Sequence, residues 1–114
     1  MMRAFALGMG LPEDSFLKAT DEPIARSSII HYPPQSEVLG EEQFGVAPHT
    51  DYGCLTLLWQ DQVGGLEVQN REGEWVTAHP IENTLVVNVG DLLMRWTNEG
   101  FKSTPHRVVN RKGQ

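Results

Sequence analysis

From Ser27 onward, apolar and polar residues alternate in short runs broken by glycine, proline and asparagine, the pattern of a β-rich chain. Ser28 to Tyr32 forms the first run and is stopped by Pro33-Pro34. Gln35 to Phe44 reads as an acidic, mobile loop, and Val46 to Asp51 and Leu55 to Trp59 follow as strands. Leu66 to Asn70 and Glu74 to Ala78 flank Asn70-Arg71-Glu72-Gly73, which predicts a hairpin with a left-handed glycine. In that hairpin Leu66 and Val68 face one way, Glu67 and Gln69 the other. Leu85 to Val89 is nearly all apolar and predicts a strand buried on both faces. Leu92 to Thr97 and Phe101 to Asn110 are expected to pair across Asn98-Glu99-Gly100.

Ahead of these runs, residues 3 to 9 predict a helix ending at Gly8 or Gly10, and Pro12-Glu13-Asp14 predicts the start of a second. The expected architecture is mainly β: an antiparallel double-stranded β-helix, or jelly roll, of about eight strands with one or two short N-terminal helices. The expected division is a helical segment over 1–26 and a jelly-roll core over 27–114.

At 114 residues the chain is one domain at most, short for an enzyme that must also enclose a substrate. Its formal net charge of −6, with basic residues scattered, offers no field for nucleic acid or an anionic membrane. No segment is long and apolar enough to span a bilayer. Met1 to Leu11 is read as part of a helix rather than a leader, because its apolar stretch contains two glycines and runs into Pro12-Glu13-Asp14. A single cysteine, Cys54, excludes an internal disulfide framework and a Cys-rich zinc site, and makes a cytoplasmic protein the expectation. Composition leaves the oligomeric state open.

The candidate chemistry lies in His49-Thr50-Asp51 and in His106. In an extended segment residues i and i+2 share a face, so His49 and Asp51 can grip one cation while Thr50 points away. By the same parity His106 shares its face with Val108, and Arg107 and Val109 lie opposite. Two imidazoles and one carboxylate on one side of a metal leave its other positions open, an arrangement suited to non-haem Fe(II). An isolated His-x-Asp also arises by chance, and the usual alternative is a buried, hydrogen-bonded histidine, which is how His31 and His79 are read. A zinc hydrolase would place two histidines around a glutamate on one helix, and no such segment exists here.

Six blocks in order carry a resemblance. They are Tyr32-Pro33-Pro34, Pro48-His49-Thr50-Asp51-Tyr52-Gly53, Leu55-Thr56-Leu57-Leu58, Val63-Gly64-Gly65-Leu66-Glu67-Val68, Asn88-Val89-Gly90-Asp91 and Ser103-Thr104-Pro105-His106-Arg107-Val108. Through them the chain, from Ser27 to Asn110, resembles the C-terminal domain of the isopenicillin N synthase-like 2-oxoglutarate/Fe(II)-dependent dioxygenases. The 57-residue separation of His49 from His106 suits that family.

The resemblance implies Fe(II) held by His49, Asp51 and His106, with Tyr32 as a hydrogen-bond donor to the cosubstrate 2-oxoglutarate; Tyr32 also reads as a core aromatic. Asn88 and Asp91 are implied to be scaffold. The implied reaction uses O2, releases succinate and CO2, and hydroxylates, desaturates or cyclises a small organic substrate.

Two departures stand beside the match. Ile30 occupies a position where many members have asparagine. The family's Arg-x-Ser motif, whose arginine pairs with the distal carboxylate of 2-oxoglutarate, is absent after His106, and neither Arg107 nor Arg111 is assigned its role. The N-terminal domain typical of the family is likewise mostly missing, so the chain is expected to be incomplete at both ends. The alternative expectation is a catalytically incomplete metal-binding jelly-roll fragment or binding module.

Overall fold

The structure is a computed structural model that describes residues 1–34 and 44–110. It divides into two compact units, Met1–Ile30 and His31–Gln114.

In the first unit, α1 spans Met2–Gly8 and buries Ala6. It ends because Gly10 adopts a left-handed φ of 71°, letting Gly10 N donate to Leu7 O at 3.0 Å and Leu11 N to Ala6 O at 2.9 Å. The second helix expected from Pro12 is reduced to a turn and one 3₁₀ turn at Leu17–Ala19. Ser15 Oγ there donates back to Pro12 O at 2.7 Å, a local bond that competes with helical pairing.

Six strands occur in the second unit among the described residues: β1 Phe44–His49, β2 Leu55–Leu58, β3 Leu66–Gln69, β4 Trp75–Thr77, β5 Val86–Val89 and β6 His106–Val109. They form a four-stranded sheet in the order β1-β6-β3-β4 and a two-stranded sheet, β2-β5. Every pairing is antiparallel, and the whole is a partial double-sheet jelly roll. The expected hairpin is β3-β4, with Gly73 at φ 85° and Glu74 N donating to Asn70 Oδ1 at 2.8 Å. Leu66 pairs with Val108 and Val68 with His106, which sets the apolar face of β3 on the same side as His106. The opposite face carries Arg107 beside its cross-strand partner Glu67, with the guanidinium 4.2 Å from the Trp75 ring and 5.0 Å from that of Phe44.

Four expectations fail. Ser28 to Tyr32 is not a strand: among the described residues no strand pairs with it, and Ile29 is fully exposed. Leu85 to Val89 is not buried on both faces; β5 begins at Val86, and Leu85 and Val87 are exposed. Leu92 to Thr97 is not a strand but the end of α2, Asp91–Trp96. A short apolar run fits either period, and here the ends decide it. Extended Gly90 opens the helix, Asp91 and Arg95 complement its dipole, and Leu93 is fully buried. Asn98, at φ 49°, closes it by donating to Arg95 O, while Glu99 N donates to Met94 O, so the predicted hairpin turn is a helix cap. Finally, residues 101–105 are irregular and the strand begins only at His106. The expected acidic loop lies outside the described residues up to 43, and its last residue, Phe44, opens β1.

Candidate metal centre

Strand β1 reaches the site through two irregularities. Phe44 pairs with Val109, Val46 with Val108, and His49 with His106, so β1 uses extra residues at Gly45 and again at Ala47-Pro48. Proline lacks an N–H for the ladder and is accommodated at such a bulge. The second bulge matters for the site. Val46 and His49 are three apart and would face opposite sides of a regular strand, yet the bulge turns His49 back to the side of His106.

Both imidazoles are oriented in the same way. His49 Nδ1 lies 2.8 Å from Ala47 O and His106 Nδ1 lies 3.0 Å from Thr104 O. A carbonyl only accepts, so each Nδ1 carries the proton and each Nε2 presents a lone pair. The ring centroids are 4.4 Å apart. His106 is 7% exposed, whereas His49 lies toward solvent.

Asp51 follows β1 and stands between the sheets. Its Oδ1 is 3.6 Å from Nε2 of each histidine, beyond hydrogen-bonding reach. Its Oδ2 accepts from Thr56 Oγ1 at 2.5 Å on β2 and from Asn88 Nδ2 at 2.8 Å on β5. Burial raises the Asp51 pKa, but the hydrogen bonds from Thr56 and Asn88, with a lesser electrostatic influence of the nearby His106 and His49 rings, outweigh it and leave the carboxyl below its ordinary value. The backbone is pinned by α2: Asp91 N donates to Asp51 O at 2.7 Å, and Leu92 N to Tyr52 O and Gly53 O. These N–H groups have no partner within a helix, so the Asp51 loop caps α2 as α2 fixes the loop. Thr50 turns away and donates to Asp91 Oδ2 at 3.2 Å.

Three lone-pair atoms, one from each of His49, Asp51 and His106, therefore lie within 4.8 Å of one another. Two ligands about 2.1 Å from a metal stand roughly 3.0 Å apart at a right angle and roughly 3.6 Å apart at 120°. The spacing thus fits one ion after small adjustments, and an N2O donor set with an open side suits Fe(II).

Tyr32 packs its ring on Gly45, where an added Cβ would lie 2.8 Å from the ring and 3.3 Å from Val108. Burial raises its phenolic pKa. The neighbouring chain is tied to the end of β6 by Asn110 Nδ2, which donates to Pro33 O at 3.0 Å.

His31 and His79 are exposed, which corrects their reading as buried histidines. Arg107 faces away from His106, as parity requires, and is engaged by Glu67 at 2.7 Å; Arg111 lies outside the described residues. Sequence reasoning missed Thr56. The available signal was that Thr56 and Asn88 are the single polar residues of two apolar strands, and the register places them directly opposite each other.

Residues 24–114 match the family model of the 2OG-Fe(II) oxygenase superfamily. The whole chain is 43% identical to a 2-oxoglutarate-Fe(II) type oxidoreductase, ppzC, of Metarhizium rileyi, of which it spans 32%. Over 96% of its length it is 43% identical to a homoarginine-6-hydroxylase of Oryza sativa subsp. japonica, spanning 35% of that protein. Among solved structures, a full-length Neurospora crassa protein in complex with alpha-KG superposes with a TM-score of 0.82 at 41% identity, over 99% of this chain and 35% of that one. The chain thus spans about a third of the length of these relatives. With that coverage of its own residues, the chain belongs to the 2-oxoglutarate/Fe(II) oxygenase superfamily.

Proposed function

We propose that this chain is the iron-holding part of a 2-oxoglutarate- and Fe(II)-dependent dioxygenase that oxidises a small organic substrate. His49 Nε2, His106 Nε2 and Asp51 Oδ1 are the metal donors in this reading, and Tyr32 donates a hydrogen bond to 2-oxoglutarate. The observation that carries it is the convergence of three lone-pair atoms, each with its other polar atom already engaged.

When bound, iron and 2-oxoglutarate supply activation of O2, with succinate and CO2 as co-products and oxidation of a substrate C–H bond. The protein's own residues place and shield this chemistry. The Ala47 and Thr104 carbonyls keep the protons on Nδ1, so neither histidine must be deprotonated at Nε2 to bind. His106 closes the buried side of the cluster and His49 the side toward solvent. Relatives act on or bind small molecules: one is a homoarginine-6-hydroxylase, and the Neurospora crassa protein has been crystallised with thymine.

The division into a helical segment over 1–26 and a jelly-roll core over 27–114 belongs to the same proposal. So does a cytoplasmic location, supported by the single cysteine. No helix among the described residues is long and apolar enough to cross a membrane.

The test is anaerobic titration with Fe(II), then addition of 2-oxoglutarate and air with succinate quantified. Metal binding that disappears in Asp51→Ala, together with succinate release, supports the reading. Metal binding without succinate would move this chain to the alternative, a metal-binding jelly-roll module. No metal binding would overturn both.

A further inference from the structure

The two oxygens of Asp51 are used differently. Oδ2 accepts from Thr56 Oγ1 and Asn88 Nδ2, whose residues are cross-strand partners on the smaller sheet. Oδ1 faces both Nε2 atoms, which belong to the larger sheet. A carboxylate oxygen has two lone-pair sites, and two donors fill those of Oδ2. Each donor is the one polar residue of its strand, Leu55–Leu58 or Val86–Val89. Both side chains are half-buried, where a polar group without a partner is unfavourable, and the carboxylate supplies that partner.

We infer that Thr56 and Asn88 are positioning residues that hold Asp51 to a single coordinating oxygen. The inference rests on the proposed metal centre and specifies how many protein atoms that centre offers. With Oδ2 occupied, an ion receives three protein donors; with Oδ2 free, the carboxylate can close on it through both oxygens and supply a fourth. For a six-coordinate ion the difference is three open positions against two. A chelating cosubstrate takes two, so only the first arrangement leaves one for O2. The two strands therefore keep the centre open as well as orienting its carboxylate.

The test uses the full chain loaded with Co(II), whose visible bands report the ligand set and its symmetry. Thr56→Val removes the hydroxyl with little change of shape, Asn88→Leu removes the amide, and Thr56→Ser retains the donor. Thr56→Val and Asn88→Leu are each expected to weaken Co(II) binding by roughly 10- to 100-fold. Each should also change the bands, because a second carboxylate oxygen replaces a solvent ligand and its narrow chelate distorts the coordination sphere, while Thr56→Ser keeps both affinity and spectrum near those of the parent. Circular dichroism of the metal-free proteins monitors folding, and if Asn88→Leu does not fold, Thr56→Val decides. Parent-like spectra in Thr56→Val and Asn88→Leu, with or without lost affinity, would overturn the inference and leave the metal centre standing. Failure of the parent to bind Co(II), or unchanged binding in Asp51→Ala, would instead strike the metal centre itself.

Discussion

His49 and His106, 57 residues apart in the chain, stand directly opposite each other on adjacent antiparallel strands, with ring centroids 4.4 Å apart. Each ring is set by the carbonyl two residues before it, Ala47 for one and Thr104 for the other. The geometry is therefore local at each histidine and long-range only in the pairing of β1 with β6.

Removing any member of the cluster should abolish tight metal binding. His49→Ala, Asp51→Ala and His106→Ala are expected to lose Mn(II) and Fe(II) in equilibrium titrations. His31→Ala and His79→Ala, at exposed positions outside the cluster, should bind like the parent. Equal losses in all five would show that the chosen set is wrong.

Gly90 is the contact point between the Asp51 loop and α2. A Cβ there would collide with the Gly53 carbonyl, whose carbon would lie 2.7 Å away, and would lie 3.0 Å from Asp51 O. Gly90→Ala should destabilise the fold by about 1–3 kcal/mol and weaken metal binding through displacement of Asp51. Gly53→Ala, with open space around the added Cβ, should do neither to a comparable degree. Denaturant midpoints and metal titrations of the two variants make the comparison.

Cys54 gives a pH-dependent prediction. Burial raises its thiol pKa above that of an unfolded chain. Its contribution to stability is thus fully present below the unfolded thiol's pKa and is lost as pH rises through the higher folded value. Iodoacetamide should alkylate native Cys54 with a pH midpoint above that of the urea-unfolded chain. Because Cys54 is the single cysteine, the label reports one site. A native midpoint at or below the unfolded one would refute the prediction.

On the far face of the larger sheet, Arg107 and Glu67 form a mostly buried pair with side chains 21% and 12% exposed. Arg107→Met removes the cation facing Glu67 and the guanidinium contact with Trp75. A loss of about 3 kcal/mol is expected, with a smaller loss in Arg107→Met combined with Glu67→Gln. The metal should bind normally in both, since Arg107 faces away from His106. Chemical denaturation of the two variants reads the coupling.

What could be read from the sequence divides by range. The β3-β4 hairpin was legible because Asn70 to Gly73 encodes its own turn, and the pairing of His49 with Asp51 follows from spacing within one segment. The α2 helix was not: Leu92 to Trp96 is too short to show a period, and its identity depends on Gly90, Asp91 and Asn98 acting at its ends. The bulge at Ala47-Pro48 was equally hidden, since it exists only relative to Arg107 across the sheet. Thr56 escaped notice for the same reason: its role appears only once β2 pairs with β5 and brings both donors to Asp51.

The strand order β1-β6-β3-β4 places the last strand of the described chain between two earlier ones. On a ribosome, β1 and β3 must wait with a vacant slot between them while the residues up to β6 are made. At about 5–20 residues per second that wait lasts roughly 2–7 seconds after β3 is complete. The edges beside the slot are then open to wrong partners. His106 arrives with the strand that fills it, so the proposed capacity to bind metal should appear abruptly once β6 has been made, as a timestamp of correct sheet closure.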